Sequence, residues 1–136
     1  MRGVSALFAA LITLPLLAQG ASGTWSKKGA GGIVSVGRQI LVSRELSSPV
    51  PLPSRASAVR IAWRIQLLNP PPPGLAIKLC TPARCVPLAA LSGQLNRNIA
   101  LSPAGPFRFI YSVEQTGQLI PALNVVSNQL TVTYRQ

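Results

Sequence analysis

The residues from Ala58 to Leu91 constrain the fold of this chain more than any other stretch. Val59, Ile61, Trp63, Ile65 and Leu67 alternate with Arg60, Ala62, Arg64 and Gln66. Strict alternation of this kind is the pattern of a strand with one face in a core and the other in water. Pro70 to Pro73 and Gly74 interrupt it, because proline donates no backbone hydrogen bond. A second strand follows, with Leu75, Ile77 and Leu79 inward and Lys78 outward. Thr81-Pro82-Ala83-Arg84 turns the chain, and Val86 and Leu88 return to the core side.

Cys80 and Cys85, the only cysteines, flank that turn. By alternation both lie on the face opposite Leu79 and Val86, and in a hairpin they sit across from one another. Cross-strand neighbours approach to about 5.5 Å, within the reach of a disulfide. The spacing therefore predicts a hairpin staple contributing about 2 kcal/mol on the chain-entropy view. The alternatives are a redox pair or half of a zinc site. CxxxxC is not the redox spacing, and without histidine or further cysteines four zinc ligands cannot be assembled.

The first residues read as an export signal. Arg2 gives a positive start, Val4 to Leu17 are almost wholly apolar, and Ala18-Gln19-Gly20 places small residues at the −3 and −1 positions of a signal-peptidase site. Cleavage is expected after Gly20, with Gly23 as second choice, leaving a domain over 24–136. The apolar run is shorter than the roughly 20 residues a membrane span needs, so no stable membrane insertion is expected. Export and a disulfide both agree with an oxidising compartment.

Beyond the leader, strands recur at intervals punctuated by turn signals. Gly29 to Gly32 reads as a glycine-rich turn after Thr24-Trp25-Ser26-Lys27-Lys28. Ile33 to Val42 makes one or two strands bending at Gly37, and Ser47 to Ser57 is a proline- and serine-rich loop. Gly93 reads as a turn before a weaker strand around Leu95 to Leu101, and Pro103 to Pro106 as another turn. Phe107, Phe109, Tyr111 and Val113 alternate with Arg108, Ile110 and Ser112 in a strong strand. Leu119–Val126 and Gln129–Arg135 read as two last strands joined through Ser127-Asn128, with Pro121 at an edge or bulge. Sustained helical periodicity occurs only in the leader. The pattern predicts one all-β sandwich domain of about 7–9 mostly antiparallel strands.

The chemistry open to this chain is narrow. It has no histidine, which removes His-based acid–base and triad catalysis. Its only carboxylate side chains, Glu45 and Glu114, are far apart in sequence, whereas glycosidase chemistry needs a pair at one site. No SxxK spacing surrounds Lys27, Lys28 or Lys78. The sequence predicts a binding protein with no enzyme activity, no cofactor and no metal. The formal net charge is +11, a field that favours anionic partners. Nucleic acid is not the expected partner, since the basic residues come singly and the aromatic residues fall largely on the core face. Arg60, Arg64, Lys78, Arg108 and Arg135 take the outward phase of their strands. If three of those strands share a sheet, they form a patch able to grip carboxylates or phosphates, with an acidic protein, the cell-wall polymer or lipid headgroups as candidates. The alternative is a merely solvated polar face.

Several segments together resemble one family. Ala62-Trp63-Arg64 with Gln66-Leu67, Pro73-Gly74-Leu75, Leu79-Cys80 and Arg84-Cys85-Val86 resemble the flagellar protein FlhE family in order and spacing. So do Phe107-Arg108-Phe109-Ile110, Leu119-Ile120-Pro121-Ala122-Leu123, Val125, Ser127-Asn128, Val132 and Tyr134-Arg135, as does a tryptophan soon after the leader (Trp25). Residues 33–57 diverge from the pattern. The resemblance implies a small periplasmic β-sandwich from a flagellar operon, associated with swarming, with restraint of proton leakage through the export channel and with chaperone-like control of assembly. It implies flagellar export or rod components as partners. Arg64, Arg84, Arg108 and Arg135 are the surface candidates within family-like motifs; Trp63, Phe109, Leu123 and Tyr134 are assigned to the core. A cell-wall or carbohydrate-binding module is the rival reading, with Trp25 as its stacking platform. A pilus-type chaperone would need a second domain.

Overall fold

The computed structural model describes residues 22–97 and 99–136. The expected leader, 1–20, lies outside them. Eight strands follow in order: β1 (Ser22–Val36), β2 (Ile40–Val42), β3 (Ser57–Leu67), β4 (Leu75–Cys80), β5 (Cys85–Leu88), β6 (Ser92–Leu95), β7 (Arg108–Val113) and β8 (Gln118–Arg135). They form two four-stranded sheets, ordered β1-β8-β3-β6 and β2-β7-β4-β5. Neighbouring strands run antiparallel throughout. The expected all-β sandwich is the observed one.

The inward residues of the two sheets meet in one core. Ile61, Leu130 and Val132 from the first sheet and Leu79, Phe109 and Tyr111 from the second are wholly buried. Sequestering side chains of this size contributes about 1.5–3 kcal/mol each. Trp25 and Trp63 lie in this core with their indole N–H groups satisfied, donating to Pro103 O at 2.8 Å and to Ala90 O at 2.9 Å.

The hairpin of β4 and β5 matches its predicted register. Leu79 pairs with Val86 and Cys80 with Cys85, and the two cysteines are joined by a disulfide.

Four local expectations are corrected. Gly29 to Gly32 is not a turn but the middle of β1, paired along its length with β8. Glycine is needed there for proximity: a Cβ at Gly31 would stand 2.2 Å from Val125 O. Gly93 likewise lies within β6, opposite Trp63, where a Cβ would meet the indole at 2.9 Å. The strand expected around Leu95–Leu101 is therefore shifted to Ser92–Leu95. Ser127 and Asn128 do not separate two strands, because β8 runs unbroken through them. Asn128 is buried, accepting a hydrogen bond from the Tyr111 hydroxyl and donating to Ala30 O at 3.5 Å. Finally, a register shift at the start of β3 turns Ala58 inward in place of Val59. Pro121 sits where the β1–β8 register also shifts, between Val34/Leu123 and Val36/Gln118, in keeping with a residue that cannot donate to a ladder.

Candidate functional site

The outer face of the first sheet is assembled from residues distant in sequence. Reading across β1, β8, β3 and β6, one row is Lys28, Gln129, Arg64 and Ser92; the next is Ser26, Thr131, Ala62 and Gln94. Beyond these come Thr24, Thr133 and Arg60, then Ser22, Arg135 and Ser57. Hydroxyl pairs tie the first two strands together: Thr24 Oγ1 to Thr133 Oγ1 at 3.2 Å and Ser26 Oγ to Thr131 Oγ1 at 3.0 Å. Each pair adds a few tenths of a kcal/mol, up to about 1 kcal/mol. Four cations stand on this face and no carboxylate shares these rows.

Two depressions lie on it. A cleft of about 350 Å³ is lined by Lys28, Arg64, Gln66, Ser127 and Gln129 among others. A more open one of about 500 Å³ is bounded by Arg60, Gln94, Asn96 and Thr133.

The second sheet presents a different surface. Val42, Ile110, Lys78 and Pro87 form one row across β2, β7, β4 and β5, and Arg108, Cys80 and Cys85 form the next. Ile40 is 66% exposed and Val42 49% exposed. Arg108 is bound to Glu45, with both side chains about half exposed. At that exposure the pair contributes at most about 1 kcal/mol to stability, yet it removes the free charge of Arg108 from the surface. Glu114 lies away from both faces, in the turn before β8 beside Arg38.

The six cations singled out from the sequence therefore do not form one patch. Arg60, Arg64 and Arg135 share the first outer face. Lys78 and Arg108 are on the second, and Arg84 is exposed in its hairpin loop. The cause is pairing: β7 joins β4 rather than β3, which carries their outward residues to the opposite side of the sandwich. Lys28 was missed as a site residue. Its signal was the alternation of Thr24, Ser26 and Lys28, obscured because the glycines that follow imitate a turn.

Other chemistries find less here. Trp25, the stacking platform of the carbohydrate-binding reading, is 5% exposed and lies against Phe107 with ring centroids 5.9 Å apart. Among the described residues no group of three or more His, Cys, Asp or Glu side chains comes together, and no helix is long and apolar enough to cross a membrane. Burial raises the Tyr111 hydroxyl pKa above the ordinary tyrosine value, which suits a structural hydrogen bond to Asn128.

Comparison with known proteins points in one direction. The family profile described as "Flagellar protein FlhE" matches residues 32–135. Flagellar protein FlhE of Yersinia enterocolitica is 42% identical over 124 residues, covering 90% of this chain and 87% of that protein. The protein of the same name from Escherichia coli K12 is 37% identical over 127 residues, covering 93% of this chain and 96% of its own length. That of Salmonella typhimurium LT2 is 38% identical with the same coverage. A solved structure described as "Crystal Structure of FLHE" superposes with a TM-score of 0.77 at 35% identity, covering 85% of this chain and 99% of that one.

Proposed function

Because this chain belongs to the flagellar protein FlhE family, whose members serve the bacterial flagellum, we propose that it is a periplasmic, non-catalytic accessory of flagellum assembly that binds export or rod components. In this reading the outer face of β1-β8-β3-β6 is the docking surface, and docking there restrains proton leakage through the export channel. The observation that carries it is charge segregation. Lys28, Arg60, Arg64 and Arg135 share one face whose rows hold no Asp or Glu side chain, while Glu45 offsets Arg108 on the other. Cations on a surface without counter-charges speed encounter with acidic partners and fix their orientation. One edge of the same sheet is β1, fifteen residues long, so an extended partner segment can add to it by backbone pairing. Export through an amino-terminal signal peptide, cut after Gly20, places the protein in the periplasm. That cut leaves Ser22 and Gly23 to pair with Arg135 and Tyr134, whereas a cut after Gly23 would remove both.

The test is site-specific photocrosslinking in living cells at Arg64 and, separately, at Lys78. Recovery of rod, hook or export-channel proteins from Arg64 and not from Lys78 is expected. Adducts from Lys78 alone would move docking to the second sheet. Adducts consisting only of wall fragments would overturn flagellar binding.

A further inference from the structure

The cleft beside Arg64 has features that a general cationic face does not require. It lies where β8 carries an extra residue: Gln66 pairs with Ser127 and Leu67 with Val125, leaving Val126 unmatched. Bulges of this kind bend a strand and re-aim its side chains, and they recur beside binding sites. Here the bulge places Ser127, buried at 8% exposure, among the residues lining the cleft. Gln66 stands opposite Ser127, and Gln129 lies one outward position further along β8. Lys28 and Arg64 flank Gln129 on its two neighbouring strands, so their Cα atoms are about two strand spacings, roughly 10 Å, apart. Both side chains are long enough to reach over Gln129 from opposite sides.

The donor set is specific in its chemistry. Lys28 brings three N–H donors, Arg64 a planar fork, Gln66 and Gln129 an amide each, and Ser127 a hydroxyl. Every one of these can donate, and none carries negative charge. Two cations with three neutral donors match a compact dianion with several acceptor oxygens better than a flat monoanion such as a carboxylate. We propose that this cleft is a binding site for a phosphate dianion, whether free inorganic phosphate or the phosphoryl group of a small phosphate monoester. The site deepens the docking reading given above and rests on the same face, but its recognition is local: it needs Lys28, Arg64 and the bulge, and not Arg60 or Arg135.

The purified protein is titrated with inorganic phosphate, with glycerol 3-phosphate and with acetate at matched ionic strength, following backbone amide shifts by NMR. Both phosphates are expected to give saturable shifts centred on Gln66, Ser127 and Gln129, with acetate giving none. Tighter binding of glycerol 3-phosphate would identify an esterified phosphoryl group as the ligand, and equal or weaker binding would identify the free anion. Lys28→Gln and Arg64→Gln should each weaken phosphate at least tenfold. Arg60→Gln and Arg135→Gln should change it less than twofold. The Trp25 indole resonance reports that each variant is folded. Shifts spread evenly over Arg60, Arg135 and the cleft, or equal responses to acetate, would overturn the site. Crosslinking from Arg64 in living cells would be untouched by that result, so failure of the phosphate site and failure of flagellar docking are separable.

Discussion

The two outer faces of the sandwich are built from the same alternation and differ in what they leave uncompensated. On β1-β8-β3-β6 the outward positions are hydroxyls, amides and cations, with Lys28, Arg60, Arg64 and Arg135 lacking a carboxylate in any neighbouring row. On β2-β7-β4-β5 they include Ile40, Val42, Ile110, Pro87 and the disulfide, and Arg108 is held by Glu45. A chain of net charge +11 would be basic on any face by default. It does not follow that its few acids should all be away from one sheet. That distribution makes the first face the more informative, and the second face serves as its internal control.

The comparison can be attacked first through the core that both faces cover. Phe109→Ala beneath the second sheet and Leu130→Ala beneath the first are each expected to cost about 2–5 kcal/mol, read as lowered urea midpoints. Both residues are wholly buried in a shared core, so each variant should unfold in one transition. Two separated transitions in either variant would mean that the faces rest on independent units.

Opening the hairpin staple is the next largest change. Replacing Cys80 and Cys85 together by serine should cost about 2 kcal/mol in urea denaturation. The disulfide belongs to the second sheet, so the phosphate response of the first is expected to persist. Its loss would couple the faces.

Tyr111 spans the two sheets through its hydrogen bond to Asn128. Tyr111→Phe leaves the Asn128 acceptor unpaired and should cost about 1–3 kcal/mol. The pH dependence follows from burial, which raises the Tyr111 pKa above 10.0 by disfavouring the phenolate. A raised folded pKa contributes stability that is fully present below the unfolded value and lost as pH climbs past it. The wild-type protein should therefore lose stability above pH 10, and Tyr111→Phe should lose less over the same range. Equal alkaline slopes in thermal melts would show that the Tyr111 hydroxyl is not shielded from water in the folded protein.

The smallest expected effect compares two exposed arginines. Arg108→Ala breaks the Glu45 pair on the second face and should cost at most about 1 kcal/mol. Arg64→Ala, with no acid beside it in its row, should change stability by about 0.5 kcal/mol or less. Thermal midpoints measured at low and high salt would compare them. A larger loss for Arg64 would mean that its charge serves the fold rather than the surface.

Much of the scaffold was legible in the chain because the relevant physics is local. Strand β7 and the Cys80–Cys85 hairpin could be read from alternation and turn chemistry alone. Reading failed where a residue's usual local role was replaced by a distant contact. Asn128 looked like a turn residue, and its turn propensity was overridden by bonds to Tyr111 and Ala30. Gly93 looked like a turn, yet it makes room for Trp63. The cationic face was only half legible: Arg60 and Arg64 declared themselves on one strand, whereas their companion Lys28 did not.

Period-two alternation is a property of consecutive residues, so the sequence by itself determined most of the inward side chains (the start of β3 excepted, where a register shift turns Ala58 inward instead of Val59), where the disulfide closes and that the fold is all-β. Which strands lie side by side is a property of pairs far apart in the chain, as with Thr24 and Thr133, 109 residues apart. Only the tertiary structure decided that Lys28, Gln129 and Arg64 share one row. Strand pairing is set by how whole sheets bury their inner faces and by the bulge at Val126, and neither leaves a local mark on the residues that it brings together.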